Sequence, residues 1–246
     1  MPPYEKVCPC KQLHHYDFTP HCCNRVSSPV STLSITGAWQ YQENGREETL
    51  TFVDGYFVHA VYDKTGKQFS YTWGGPYIVK DDKMEITIQF NTRHKEKVGE
   101  TVSISWSDNN EQLVANIDGA ERTWKQVDKG LGELAGVWRI AGRKQGTQPV
   151  AMPLGARRTL KILSGTRFQW VAINLDTKEF SGTGGGTYSF KNGKYTENIE
   201  FFSRDNSRVG ASLTFNGKVR GNEWDHSGLS SKGDPIEEMW KKLNAE

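Results

Sequence analysis

The sequence has no long apolar run. In 246 residues nothing approaches the ~20 consecutive apolar residues that a helix needs to cross a bilayer. It also lacks a charge imbalance: 31 basic and 29 acidic residues leave a net charge of +2. That balance gives neither the basic footprint of a nucleic-acid binder nor a polybasic membrane signal. Residues 24–246 contain no cysteine, so whatever folds there needs no disulfide. The first 30 residues carry no continuous apolar core of the signal-peptide kind, which leaves localisation open. No GK[ST] follows the glycines at 182 and 184–186, and no strand-to-helix setting surrounds them, so they are not a phosphate loop. No metal, nucleotide or flavin signature points to a cofactor.

All four cysteines (Cys8, Cys10, Cys22, Cys23) and three of the six histidines (His14, His15, His21) fall in residues 1–34. Thiolates and imidazoles are the usual ligands of zinc. The spacing C-x-C…HH…HCC follows no zinc-finger frame, however, and the segment reads as a flexible leader ending in a linker at 27–34.

Glycine (25 residues) and aromatic residues (11%, with eight tryptophans) are plentiful, which favours strands and tight turns. The chain also repeats itself. Gly37-Ala38-Trp39 pairs with Gly136-Val137-Trp138, the run from Thr49 to Gly55 with that from Thr159 to Gly165, Gly74-Gly75 with Gly185-Gly186, Val98-Gly99 with Val209-Gly210, and Trp124-Lys125 with Trp240-Lys241. The order is conserved between copies, and the offset moves only from 110 at Thr49/Thr159 to 111 at Gly99/Gly210. The copies span residues 35–128 and 134–246, joined by a hinge at 129–132. The second carries insertions near 145–156 and 229–234, and inserted loops at a barrel mouth often carry function.

Inside each copy the apolar period is two. Met84, Ile86, Ile88 and Phe90 alternate with polar residues, as do Val102, Ile104 and Trp106. Turn signals such as Asp54-Gly55, Asn192-Gly193 and Asn216-Gly217 separate these segments. The expected fold is all-β, two tandem antiparallel up-and-down barrels of about eight strands each. Asp234-Pro235, followed by Glu237 and Glu238, predicts a short helix start.

The G-x-W at the head of both copies, followed by hairpins, resembles the start of a lipocalin-type (calycin) barrel. The run Gly186-Thr187-Tyr188…Tyr195-Thr196-Glu197-Asn198-Ile199 resembles small lipocalin-like domains of bacteria, many of them exported. The copies are shorter than ordinary lipocalins and lack the later TDY-like motif. The resemblance covers residues 35–246. It implies that Trp39 and Trp138 plug the closed ends and that a small apolar or amphipathic ligand sits in a barrel mouth.

Comparing the copies, with Gly75/Gly186 as register, sets Met84, Ile86, Ile88 and Phe90 against Tyr195, Glu197, Ile199 and Phe201. A carboxylate at 197 then points inward, where an unpaired charge costs several kcal/mol, so Glu197 is expected to be partnered, protonated or bound to a ligand. The pairing of 49–55 with 159–165 sets Val58 and Ala60 against Phe168 and Trp170, and further on Trp224-Asp225-His226 stand where copy 1 has the plainer Gln112-Leu113-Val114. On that reading copy 2 is the ligand barrel. Phe168, Trp170, Tyr195, Phe201 and Trp224 form its wall, and Glu197, His226 and Arg158 orient a polar group. Copy 1 reads as filled, with Tyr62, Trp73 and Trp106 as plugs. The leading expectation is binding of a small ligand in the second barrel, with no nucleic-acid partner and no membrane span. One alternative is a cyclase- or isomerase-type enzyme with Glu197, His226 and Tyr195 as its acid/base set. Another is a structural or interaction module with both barrels filled.

Overall fold

The computed structural model describes residues 34–81, 83–109, 112–146 and 148–245. The cysteines and histidines of residues 1–34 considered for zinc lie outside them.

Strands dominate. Barrel 1 is built from β1 (Gly37–Glu43), β2 (Arg46–Val53), β3 (Tyr56–Asp63), β4 (Gln68–Lys80), β5 (Lys83–Thr87), β6 (Phe90–Asn91), β7 (Thr101–Asn109), β8 (Gln112–Ile117) and β9 (Ala120–Asp128). Barrel 2 is built from β10 (Gly136–Gln145), β11 (Gln148–Ala151), β12 (Arg157–Leu163), β13 (Arg167–Asn174), β14 (Glu179–Lys191), β15 (Lys194–Phe202), β16 (Ser212–Arg220), β17 (Glu223–Leu229) and β18 (Pro235–Lys242). Each set is an antiparallel ladder that closes on itself, through β1–β9 in the first and β10–β18 in the second. Counting β5 and β6 as one broken strand and leaving out β11, each closed barrel has eight strands. Among the described residues no helix is long and apolar enough to cross a membrane.

The hairpins follow from turn chemistry. Asn44-Gly45, Asp54-Gly55, Asp118-Gly119 and Asn192-Gly193 all take positive φ at both residues, as two-residue turns that match strand twist require. Asn216-Gly217 does not turn. It lies within β16, and the chain reverses at Gly221-Asn222 instead. The Asp234-Pro235 signal likewise opens a strand: the two ladders on either side of β18 close the barrel, and that tertiary pairing overrides the local helix signature.

The two G-x-W tripeptides do the same job twice. Trp39 and Trp138 are fully buried, and their indole N–H groups donate to Ile35 O and Leu134 O, each at 2.8 Å. Gly37 and Gly136 sit at φ +115° and +136°. A Cβ on them would fall 2.0 Å from Asp128 O and 2.2 Å from Asp54 Oδ2, so only glycine fits.

The barrels pack through the outer faces of their second and third strands. Val53, Tyr56, Val58 and Phe90 of barrel 1 share one buried cluster with Leu160, Ile162, Val171 and Ile173 of barrel 2. Tyr62 packs against Phe201 with the rings tilted and their centroids 4.7 Å apart. Its hydroxyl donates to Glu200 Oε2 at 2.9 Å and accepts from Arg167 Nη2 at 2.5 Å, and Arg167 also pairs with Glu200. The hinge is tied down as well. Asp128 accepts from the backbone N–H groups of Gly130, Gly165 and Thr166 and from the hydroxyls of Ser164 and Thr166.

The ladders fix how the copies correspond. Trp39 lies opposite Leu50, and Trp138 opposite Lys161. Phe52 pairs with Phe57, and Leu163 with Phe168. Trp106 pairs with Ala115, and Gly217 with His226. Equivalent residues are thus 111 apart from Leu50/Lys161 through Ala115/His226. The offset of 110 at 49–55 came from matching Gly55 to Gly165, but Gly165 stands one step earlier in its turn. A Cβ there would lie 3.0 Å from Leu131 O and 3.1 Å from the Asp128 carboxylate. A one-residue slip turns every side chain to the other face. Phe168 and Trp170 therefore match Phe57 and His59, not Val58 and Ala60, and His226 matches Ala115.

Candidate functional site

Six of the eight residues expected to line a ligand site in barrel 2 do face its interior: Phe168, Trp170, Tyr195, Glu197, Trp224 and His226. Two do not. Phe201 lies against Tyr62 between the barrels. Arg158 is on the outer parity of β12 with Leu160 and Ile162, its Nε donating to Gly155 O at 2.8 Å. Tyr62, expected as a plug of barrel 1, is likewise on the outer face.

The interior of barrel 2 centres on a residue the sequence comparison passed over. Lys161 Nζ lies 2.7 Å from Glu197 Oε1, with both side chains over nine-tenths buried. Tyr195 OH donates to the same oxygen at 2.9 Å. The ammonium also sits 4.8 Å from the ring centroid of Tyr195, 5.3 Å from those of Trp224 and Trp240, and 5.7 Å from that of Phe215. Four aromatic faces and one carboxylate thus replace its water shell. In barrel 1 the equivalent positions are Leu50 and Ile86, both apolar. The signal was present in the sequence: with a constant offset of 111, Lys161 falls opposite Leu50 and pairs in advance with Glu197.

His226 lies beside this group, its ring 4.3 Å from Phe215 and 5.1 Å from Trp224. Among the described residues neither ring nitrogen finds a hydrogen-bond partner; Nδ1 approaches Glu238 Oε2 only to 3.4 Å. Burial, helped by the charge of Lys161, pushes its pKa below the ordinary value.

Barrel 1 is arranged differently. His59, fully buried, sits where barrel 2 has Trp170. Its Nε2 lies 3.1 Å from Glu48 Oε2, and its Nδ1 is 3.5 Å from Asp118 Oδ2 and accepts from Trp73 Nε1 at 3.1 Å. Arg46 and Arg122 stand 3.0 and 3.2 Å from Glu48 Oε1 as charge partners, without aligned hydrogen bonds. Burial works to lower the pKa of His59, but the carboxylates of Asp118 and Glu48 outweigh it and raise the pKa overall. Burial opposes ionisation of Asp118 too, yet His59 and Tyr71 pull its pKa down to about 2. Tyr71, desolvated and facing that carboxylate, is pushed up to about 12.

Above this network the barrel is open. A cavity of about 280 Å³ is lined by Tyr71, Trp73, Ile88, Ile104, Asn116 and Asp118, with Asn91, Arg93, His94 and Lys97 at its rim. Arg93 lies over the Tyr71 ring at 4.4 Å, and Arg46 Nη2 donates to the Tyr71 hydroxyl at 3.1 Å. Barrel 2 has Gly184 in place of Trp73 and Phe202 in place of Asn91, and Trp170 packs there edge-on to Phe202 at 5.4 Å. The tryptophan has moved from the fourth strand to the third, and the mouth is filled from the other side.

No known family profile matches this sequence, and no curated protein matches it. Among solved structures, a lipocalin-like protein from Bacteroides uniformis ATCC 8492 is similar to 46% of this chain and to all of its own length, at 13% identity and a TM-score of 0.32.

Proposed function

We propose that this protein binds a small amphipathic molecule, and that the mouth of barrel 1 is the site. The observation that carries this reading is the open cavity over the His59–Asp118–Glu48 network. Apolar walls, a few convergent polar groups and perturbed titrations meet in one cleft there. An apolar body would rest on Trp73, Ile88 and Ile104, and a polar group would reach Asp118 and Asn116. In barrel 2 the carboxylate of Glu197 already has Lys161 and Tyr195, which favours a structural role there.

Native mass spectrometry of the purified protein tests this. A co-purifying molecule lost in Asp118→Leu but kept in the double variant Lys161→Leu/Glu197→Ile supports the reading. Retention in the first and loss in the second returns the site to barrel 2.

Acid/base chemistry at the same mouth is a second reading, favoured by the apposed His59 and Asp118 with pKa values shifted in opposite directions. A bell-shaped pH profile for conversion of the co-purifying molecule, abolished in His59→Gln, would select it over simple binding.

A further inference from the structure

The wall of barrel 2 is open where that of barrel 1 is shut. In barrel 1, β1 and β2 pair without interruption from Gly37↔Phe52 to Glu43↔Arg46. In barrel 2 the equivalent strands pair only from Gly136↔Leu163 to Arg139↔Leu160. An irregularity between Ile140 and Gly142 then turns β10 away, and its end pairs with β11 instead. Residues 152–156 span the gap between β11 and β12 and cover a cavity of about 500 Å³.

The chemistry of this cavity is sorted by side. Among the described residues Arg139, Arg143, Arg157 and Arg158 line it and no carboxylate does, while Met152 and Leu154 supply apolar surface. Leu154 is 40% exposed, as an apolar wall awaiting cover would be. Arg139 holds the covering segment, its Nη1 donating to Ile140 O at 3.2 Å and Met152 O at 3.0 Å. Arg158 is aimed by the bond from its Nε to Gly155 O. Among the described residues no carboxylate lies within ion-pair distance of Arg143, Arg157 or Arg158. Glu238, whose pKa burial would raise and the charges of His226, Lys161 and Arg143 pull down, is the acid that feels Arg143 from outside the cleft. The guanidinium groups of Arg143 and Arg157 repel one another until an anion enters, and their planar forks match a carboxylate two bonds at a time.

We propose that this cleft binds a single-chain amphiphile with a carboxylate head, the head between Arg143 and Arg157 and the chain over Met152 and Leu154. The site is distinct from the mouth of barrel 1 and stands or falls independently of it.

Calorimetric titration of the full chain with sodium decanoate, decyl phosphate and neutral decanol, each below its micellar concentration, tests it. Decanoate binds wild type, each of Arg143→Gln and Arg157→Gln weakens it about tenfold or more, and Leu154→Asp weakens it further. Asp118→Leu leaves it unchanged. These positions are exposed, so unchanged melting temperatures show that the variants fold. The proposal is overturned if decanoate does not bind, if its affinity survives Arg143→Gln/Arg157→Gln, or if decanol binds as tightly. Tighter binding of decyl phosphate than of decanoate overturns the carboxylate assignment.

Discussion

Barrel 1 sets Leu50 and Ile86 across its interior where barrel 2 sets Lys161 and Glu197. One backbone frame, repeated in one chain, holds an apolar pair in one copy and an ion pair in the other. Neither partner could change alone without leaving a buried charge unmatched. The same trade recurs at the mouth, where Trp73 and His59 of barrel 1 answer to Gly184 and Trp170 of barrel 2. It recurs on the outer face too, where Tyr56 donates to Gln89 at 3.0 Å and the equivalent residues, Arg167 and Glu200, form an ion pair. The lesson is that interior positions vary in coupled pairs, so a residue that looks anomalous in one copy should be read together with its cross-barrel partner.

The strongest way to break this comparison is to convert barrel 2 into barrel 1 in two steps. Lys161→Leu or Glu197→Ile alone strands a buried charge and should cost about 3–5 kcal/mol. The double variant should recover most of that loss or exceed wild-type stability. Denaturant unfolding of all four proteins gives the coupling energy, and additive losses would mean that the two residues do not act as a pair.

Next in size is the contact that makes the two outer faces unequal. Tyr62→Phe removes a hydroxyl that bridges two charged groups, Arg167 and Glu200. Its loss should cost about 1.5–3 kcal/mol, read by denaturant unfolding. A loss under a few tenths would show that the Arg167–Glu200 pair closes without it.

Gly184→Ala sharpens the comparison at the mouth. A Cβ there would lie 2.7 Å from Trp170 Nε1 and 2.8 Å from Phe202 Cδ2, so both rings must shift, at about 1–3 kcal/mol. The variant paired with Trp170→His, the residue found in barrel 1, should lose less than Gly184→Ala alone.

The fold was legible because period-two alternation and Asn-Gly or Asp-Gly turns are local signals, and the repeat printed them twice. The inward direction of Glu197 was legible too, since Gly75/Gly186 is a true register mark. What misled was a single glycine. Gly165 serves the Asp128 carboxylate at the end of β9, a long-range contact that no local pattern displays. Matching it to Gly55 flipped one strand pair, hid Lys161 and set Val58 and Ala60 in the barrel 1 interior in place of Phe57 and His59. The open mouth was not legible at all, because it depends on which strand donates the tryptophan.

The smallest effect separates the two histidines. His59 has a folded pKa above its ordinary value of 6.5, so it binds its proton more tightly folded than unfolded. Its contribution to stability is complete below 6.5 and fades as pH rises through the folded pKa. His226 is shifted the other way, below 6.5. The unfolded chain takes up that proton first, so stability is intact above 6.5 and falls as pH drops toward the folded value. Imidazole proton NMR should therefore show two buried rings titrating on opposite sides of 6.5. In His226→Ala, which restores the residue of barrel 1, the acid-side loss should flatten. In His59→Gln the loss on the alkaline side should flatten instead. If both rings titrate on the same side, the opposition between the two interiors fails at its most polar residues.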